Sequence, residues 1–219
     1  MESNADQARA SLPGFDYKLY GDAEVQEFLS AHFSRDVLIA YRKLVPYSYK
    51  SDFARFCILY EMGGWYVDVG LRLTGAKVVL ADDVSLLTFR DINKYSGSSC
   101  SCSAGAIYAS PRHPTTLQAI EMIVENVKSK YYGITPLCPT GPTLWGRAIA
   151  AVGFNGSCIF GDFLELTPTH SQKNKAMVLP DGTIFAFNKP SGGGDLASLG
   201  AKGSNNYNDI WRSRQVYQA

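Results

Sequence analysis

Two carboxylates and one guanidinium lie close together in the segment from Lys50 to Gly70. Asp52 and Arg55 are three residues apart, and Asp68 follows inside an apolar run. Residues three apart on a helix share a face, so Asp52 and Arg55 can act on one ligand or on each other. An ordinary surface pair would explain those two equally well. Asp68 is more informative, because a carboxylate inside an apolar strand must be paired, coordinated or functional.

A helix and a strand are predicted to position these residues. Ser51 is a suitable N-cap, apolar residues recur after it at helical spacing, and a pair of glycines ends the helix. The run from Trp65 to Val69 is rich in β-forming residues and predicts a buried strand. Tyr66, Asp68 and Gly70 share one face of that strand. Asp68 lies near the carboxyl end, which is where ligands bind in open α/β sheets.

This stretch resembles the signature of glycosyltransferases that carry a DXD sugar-binding motif. The shared order is Ser-Asp, Arg three residues later, an apolar helix, Gly-Gly, an aromatic residue and Asp. The group it resembles is the retaining GT-A enzymes, which include OCH1-type mannosyltransferases, capsular polysaccharide enzymes and the clostridial glucosylating toxins. The resemblance implies an α/β, Rossmann-like fold with a mixed sheet flanked by helices. It also implies transfer of a hexose from a nucleotide-diphosphate sugar with retention of configuration.

The resemblance assigns roles to individual residues. Asp68 and Arg55 would be catalytic, and Asp68 would also contact a divalent cation, Mn²⁺ or Mg²⁺, since such ions prefer oxygen ligands. Gly70 stands where the family has its second Asp. Three alternatives therefore stay open: Asp68 holds the cation with the phosphates and water, Lys202 or Arg212 replaces the cation, or the site is inactive. The residues implied to bind substrate are Ser51, Asp52, Tyr66, Gly70, Thr140, Gly141, Ser204, Asn206 and Trp211.

The rest of the chain predicts further strands and helices. Strands are expected at Leu12–Tyr20, Lys77–Leu80, Val84–Phe89, Gly105–Ala109 and around the Pro180-Asp-Gly turn. Helices are expected after caps at Asp22, Ser34 and Thr140, and from Pro114. The residues before Leu12 offer no counterpart of the family's first strand. Either that strand is missing or the amino terminus is truncated.

We expect one domain over residues 1–219, with a Gly-rich closing segment at about 190–219. In the related enzymes a carboxy-terminal loop with Ser, Asn and Trp closes over the nucleotide sugar. The glycines of this segment alternate with polar residues, and aromatic residues follow them towards the end of the chain. That pattern predicts a flexible loop whose carboxyl end is anchored by the aromatic residues.

Composition limits the function classes. The chain has 219 residues, 46% of them hydrophobic, and a net charge of +1, so no overall field favours nucleic acid. Five scattered cysteines and no apolar leader favour a reducing, cytoplasmic location, with peripheral membrane association left open. The expected partners are a UDP- or GDP-sugar and a glycan or other hydroxyl acceptor. The alternatives are a degenerate, non-catalytic nucleotide-sugar or carbohydrate-binding module, or a plain interaction domain.

Overall fold

The structure is a computed structural model that describes residues 2–76, 78–92, 98–154, 156–165, 175–188 and 206–218. Over these residues the helices are α1 (Glu2–Ser11), α2 (Asp22–His32), α3 (Arg35–Lys43), α4 (Tyr47–Met62), α5 (Pro114–Lys128), α6 (Pro142–Val152) and α7 (Tyr207–Arg212). The strands are β1 (Gly64–Val67), β2 (Arg72–Leu73), β3 (Val84–Asp91), β4 (Cys102–Ala109), β5 (Ser157–Glu165), β6 (Lys175–Val178) and β7 (Ile184–Phe187).

The strands form one mixed sheet in the order β1-β4-β3-β5-β6-β7-β2. Strands β3 and β5 pair in parallel, and the other described neighbours are antiparallel. Strands β1 and β2 are successive in the chain but occupy opposite edges of the sheet. Residues 68–71 form a short turn that connects these two edge strands, so the sheet must be strongly curled. The predicted α/β class, a mixed sheet flanked by helices, is confirmed.

Two hydrophobic cores lie on the two faces of this sheet. Leu86 and Ile107 belong to the core beneath the helices, whereas their neighbours Leu87 and Ala106 belong to the core inside the curl. Successive strand residues point to opposite faces, so this alternation is the expected strand pattern. The curl places the turn between β1 and β2 at the boundary of both cores.

Helix α4 begins about one turn before Ser51, with Pro46 at its N-cap, so the predicted cap at Ser51 is wrong. The extra turn forms because it buries Tyr49, which is 2% exposed. The Ser51 hydroxyl instead lies 3.2 Å from the hydroxyl of Tyr66. The predicted helix end is confirmed: Gly63 has a φ of +65°, and a Cβ there would collide with the proline that packs against it.

Two predicted strands are wrong. Residues 12–20 form a turn and irregular chain, and described residues 78–80 are also irregular. In the first segment Leu12 is buried in the second core while Phe15 is 47% exposed, so the alternation reflects packing on separate surfaces rather than strand pairing. The helices expected after Asp22 and Ser34 and from Pro114 are confirmed, although Gly21 rather than Asp22 is the N-cap of α2.

The remaining local predictions concern the strands and the cysteines. Strands β3 and β4 are present and longer than predicted, and β6 and β7 form a hairpin around the Pro180-Asp-Gly turn. All five cysteines are free thiols. No helix within the described ranges has both the length and the apolar composition needed to cross a bilayer.

Candidate functional site

A cleft of about 1270 Å³ runs along the edge strand β1. Residues at both ends of the strand line it, with Gly64 at the beginning and Asp68 just after the end. Helix α4 forms one wall, and the irregular chain between Leu12 and Gly21 forms another. The segment predicted to bind a ligand therefore lies in a cavity of ligand-binding size.

Asp68 is held at the carboxyl end of β1 by its backbone and its side chain. Its N–H donates to the carbonyl of Gly105 on β4 at 2.7 Å, which extends the strand pairing by one bond. The Tyr66 hydroxyl donates to Asp68 Oδ1 at 2.7 Å. The two side chains share a face, as predicted. The Asp68 side chain is still 42% exposed, and Oδ2 has no hydrogen-bond donor among the described residues.

Arg55 is buried, with a side chain 5% exposed, and all three of its guanidinium nitrogens have partners in the fold. Nη2 lies 2.8 Å from Asp52 Oδ1 and 3.5 Å from Asp68 Oδ1. Nη1 donates to the carbonyl of Ala104. The guanidinium carbon lies 4.5 Å from the centre of the Tyr66 ring. These contacts hold Arg55 beside Asp68 in the lining of the cleft, and its catalytic role stays a prediction.

Asp52 is bonded through both carboxylate oxygens. Oδ1 faces Arg55, and Oδ2 accepts a 2.8 Å hydrogen bond from the Thr140 hydroxyl. Its side chain is 13% exposed. The chain packs closely here, because a Cβ on Gly141 would lie 3.4 Å from Asp52 Oδ2. Gly141 is the N-cap of α6, so the prediction that Thr140 caps this helix is wrong: its hydroxyl bonds Asp52 instead.

Burial sets the charge states of the cluster. It raises the pKa of Asp52, against the opposing effects of Arg55 and Thr140. Burial alone would lower the pKa of Arg55, but Tyr66, Asp68 and Asp52 outweigh it and raise that pKa. Burial also raises the pKa of Tyr66. At neutral pH Arg55 is therefore charged, and Tyr66 is a neutral hydroxyl that donates to Asp68.

The described residues do not form a metal site by themselves. They contain no group of three or more His, Cys, Asp or Glu side chains placed to hold an ion. Asp68 offers the cleft one oxygen without a described donor, and Gly70 lines the cleft without a carboxylate. A divalent cation here would depend on ligands from outside this cluster.

Neither of the carboxy-terminal candidates that the structure describes, Asn206 and Trp211, lines the cleft. The Trp211 indole N–H donates to the carbonyl of Tyr132 at 2.9 Å, and Trp211 is not among the residues that line the cleft. Asn206 is the N-cap of α7 and is also outside the lining. Ser204 and Lys202 lie outside the described residues.

One residue that sequence reasoning missed does line the cleft. Tyr207 reaches it from the first position of α7, with its ring 6.2 Å from that of Tyr49. In the sequence, the one indication was that Tyr207 lies between two asparagines beside the Gly-rich segment, but this position does not show which way the ring faces.

Arg212, the candidate replacement for the metal cation, pairs with Asp209 at 3.1 Å, and its side chain is 71% exposed.

Part of the chain matches a known family. Residues 4–77, about a third of the chain, match the family described as "Glycosyltransferase sugar-binding region containing DXD motif". The matched region contains Asp52, Arg55 and Asp68 and ends before Thr140.

Solved structures also match part of the chain. Six chains match, among them "PaToxG Glycosyltransferase", with a TM-score of 0.41 and 19% identity over 48% of this chain. The alignment spans 35% of that chain's length. No curated protein matches the chain.

Proposed function

We propose that this chain is a glycosyltransferase that moves a hexose from a UDP- or GDP-sugar to a glycan or other hydroxyl acceptor with retention of configuration. The observation that carries the proposal is the Asp68 carboxylate, which is fixed through Oδ1, has no described donor on Oδ2, and belongs to a half-exposed side chain that lines the cleft. The family match over residues 4–77 supports it, because this carboxylate lies in the matched region.

The geometry supports separate roles for the residues around the donor. Asp68 Oδ2 can accept hydrogen bonds from hydroxyls of the donor sugar or ribose, and bonds to a charged acceptor are about twice as strong as neutral ones. Arg55 and Tyr66 keep that carboxylate in one orientation, which lowers the cost of ordering it on binding. Asp52 in turn pairs with Arg55, and Thr140 donates a hydrogen bond to Asp52. We therefore assign Arg55, Asp52, Thr140 and Tyr66 as positioning residues.

The transition state of glycosyl transfer carries positive charge on the sugar and negative charge on the departing diphosphate. A carboxylate fixed beside the sugar stabilises the first of these charges. The second needs a cation, and the described residues around Asp68 do not supply a metal site. Donor binding and turnover should therefore be measured both with and without a divalent cation such as Mn²⁺ or Mg²⁺. The five free thiols support a reducing compartment such as the cytoplasm.

Calorimetry with UDP, GDP, UDP-glucose and GDP-mannose, each with and without Mn²⁺, tests the proposal. We expect one nucleotide and its sugar to bind, and the bound donor to be hydrolysed slowly without acceptor. NMR of the released sugar should show the anomer of the donor first. Because Gly70 replaces a carboxylate, a non-catalytic binding module is the second candidate, and binding without any turnover would favour it. Absence of binding to all four compounds would contradict both.

A further inference from the structure

A second, smaller pocket of about 270 Å³ lies beside the cleft and shares Phe15 with it. Its lining residues are Phe15, Val78, Leu80, Ala81, Asp82 and Tyr108. We propose that this pocket binds one sugar ring of the acceptor, and that the acceptor is a neutral oligosaccharide lying along β1. The inference rests on the proposed function and names the acceptor class for the same cleft.

The chemistry of the pocket suits a sugar ring. Phe15 is 47% exposed and meets Tyr108 edge-on, with ring centres 6.5 Å apart and planes at 80°. Two aromatic rings at this angle form a corner against which the apolar C–H face of a pyranose can pack. The exposed carboxylate of Asp82 is an acceptor for ring hydroxyls.

The size and charge of the pocket narrow the ligand further. Its volume is just below the range of about 300 to 1,000 Å³ that is typical of pockets for drug-sized ligands. It therefore suits a single ring better than a nucleotide. Among the described residues of its lining Asp82 is the one that carries a charge, so a neutral sugar is favoured over an anionic one.

The position of the pocket determines the length of the acceptor. Phe15 packs over Gly64 at the start of β1, where a Cβ would lie 3.8 Å from its ring. Asp68 follows four residues later, and a strand rises about 3.4 Å per residue, so the two points are about 14 Å apart. A single sugar ring does not span this distance. An acceptor that fills the pocket and also reaches Asp68 must have several sugar residues.

The test is a titration with unbranched gluco- and manno-oligosaccharides from monosaccharide to tetrasaccharide, followed by the indole N–H signals in NMR. The Trp65 ring lies 5.6 Å from Tyr108 and serves as the reporter, whereas the fully buried Trp145 serves as the internal reference. We expect the affinity to rise about tenfold from the monosaccharide to the tetrasaccharide of one series. Phe15→Ala should remove that rise.

Two matched controls separate the pocket from general effects. Phe154 is 73% exposed and meets Phe160 edge-on at 5.3 Å, but it lines neither pocket, so Phe154→Ala should bind as the unmodified chain does. Asp82→Asn should weaken tetrasaccharide binding about threefold to tenfold, and Asp83→Asn should not. Equal affinity for all lengths, equal losses in the two Phe variants, or no binding at all would overturn the proposal.

Donor hydrolysis by the unmodified chain, measured in parallel without acceptor, reports on the proposed function alone. If the chain hydrolyses a donor but binds all the oligosaccharides equally, the proposed glycosyl transfer stands and the pocket is not an acceptor site. If the chain binds longer oligosaccharides through Phe15 but neither binds nor hydrolyses any donor, the sugar pocket stands and the proposed glycosyl transfer is contradicted.

Discussion

Asp52 and Asp68 face the same guanidinium nitrogen of Arg55, yet their surroundings differ. On Asp52 the two donors occupy both carboxylate oxygens, and the side chain is 13% exposed. On Asp68 both the Tyr66 hydroxyl bond and the Arg55 ion pair use Oδ1, and the side chain is 42% exposed. Asp52 is therefore engaged inside the fold, whereas Asp68 keeps one oxygen for a ligand. The comparison shows that two acids beside the same guanidinium differ in how many of their oxygens the fold already uses, and under the proposed function only Asp68 has an oxygen left for the donor.

Replacement of Arg55 by Met should have the largest effect, because it leaves Asp52 buried without its cation. Removing one partner of a buried ion pair costs about 3–5 kcal/mol. The matched control is Arg90→Met, since Arg90 pairs with Asp162 at 2.7 Å but is 59% exposed. We expect that change to cost at most about 1 kcal/mol. Urea unfolding measures both, and equal losses would show that the Arg55 cluster is not buried in solution.

Thr140→Val tests the bond to Asp52 with a smaller expected effect. It leaves a buried carboxylate oxygen without its donor, which costs about 1–3 kcal/mol. Thr143→Val in the same helix is the control, because the Thr143 hydroxyl bonds only the neutral hydroxyl of Ser101 among its described contacts, at 3.3 Å. The same unfolding experiment should show a larger loss for Thr140→Val. A larger loss of stability for Thr143→Val would mean that the hydrogen bond from Thr140 does not stabilise the buried Asp52 carboxylate.

The pH dependence of stability should show the smallest effect and depends on Asp52. Its pKa is raised in the fold above the ordinary value of 3.8, so the folded state binds the proton more tightly than the unfolded chain does. The stability that this proton contributes is fully present below the unfolded pKa and is lost as pH rises through the raised folded pKa. The free energy of unfolding of the unmodified chain, minus that of Asp52→Asn, should therefore fall as pH rises above 3.8. A difference that increases with pH would contradict the assigned direction.

Local sequence signals predicted much of the site. The glycines after α4 end the helix because both have a positive φ, and the two-residue period of β1 places Tyr66 and Asp68 on one face. Both features depend on neighbours in the chain. The segment also predicted a carboxylate inside the strand near its carboxyl end; in the structure β1 ends at Val67, so Asp68 directly follows it.

The errors arose where distant contacts decide the structure. Thr140 has the residue type of a helix cap, but its hydroxyl is bonded to Asp52, 88 positions earlier. The curl that joins the two sheet edges depends on the pairing of β2 with β7, which local periodicity does not encode. Trp211 was assigned to the donor by the family resemblance, and that role stays a prediction; in the structure its indole N–H donates to the carbonyl of Tyr132.

The most direct test of the account is the donor affinity of Asp68→Asn, measured by calorimetry beside its stability. Loss of a charged acceptor should weaken donor binding about 10- to 100-fold. The free energy of unfolding should change by less than about 1 kcal/mol, because the side chain is partly exposed and keeps an oxygen for Tyr66. Unchanged donor affinity, or unfolding of the variant, would contradict the claim that Asp68 is the carboxylate that meets the donor.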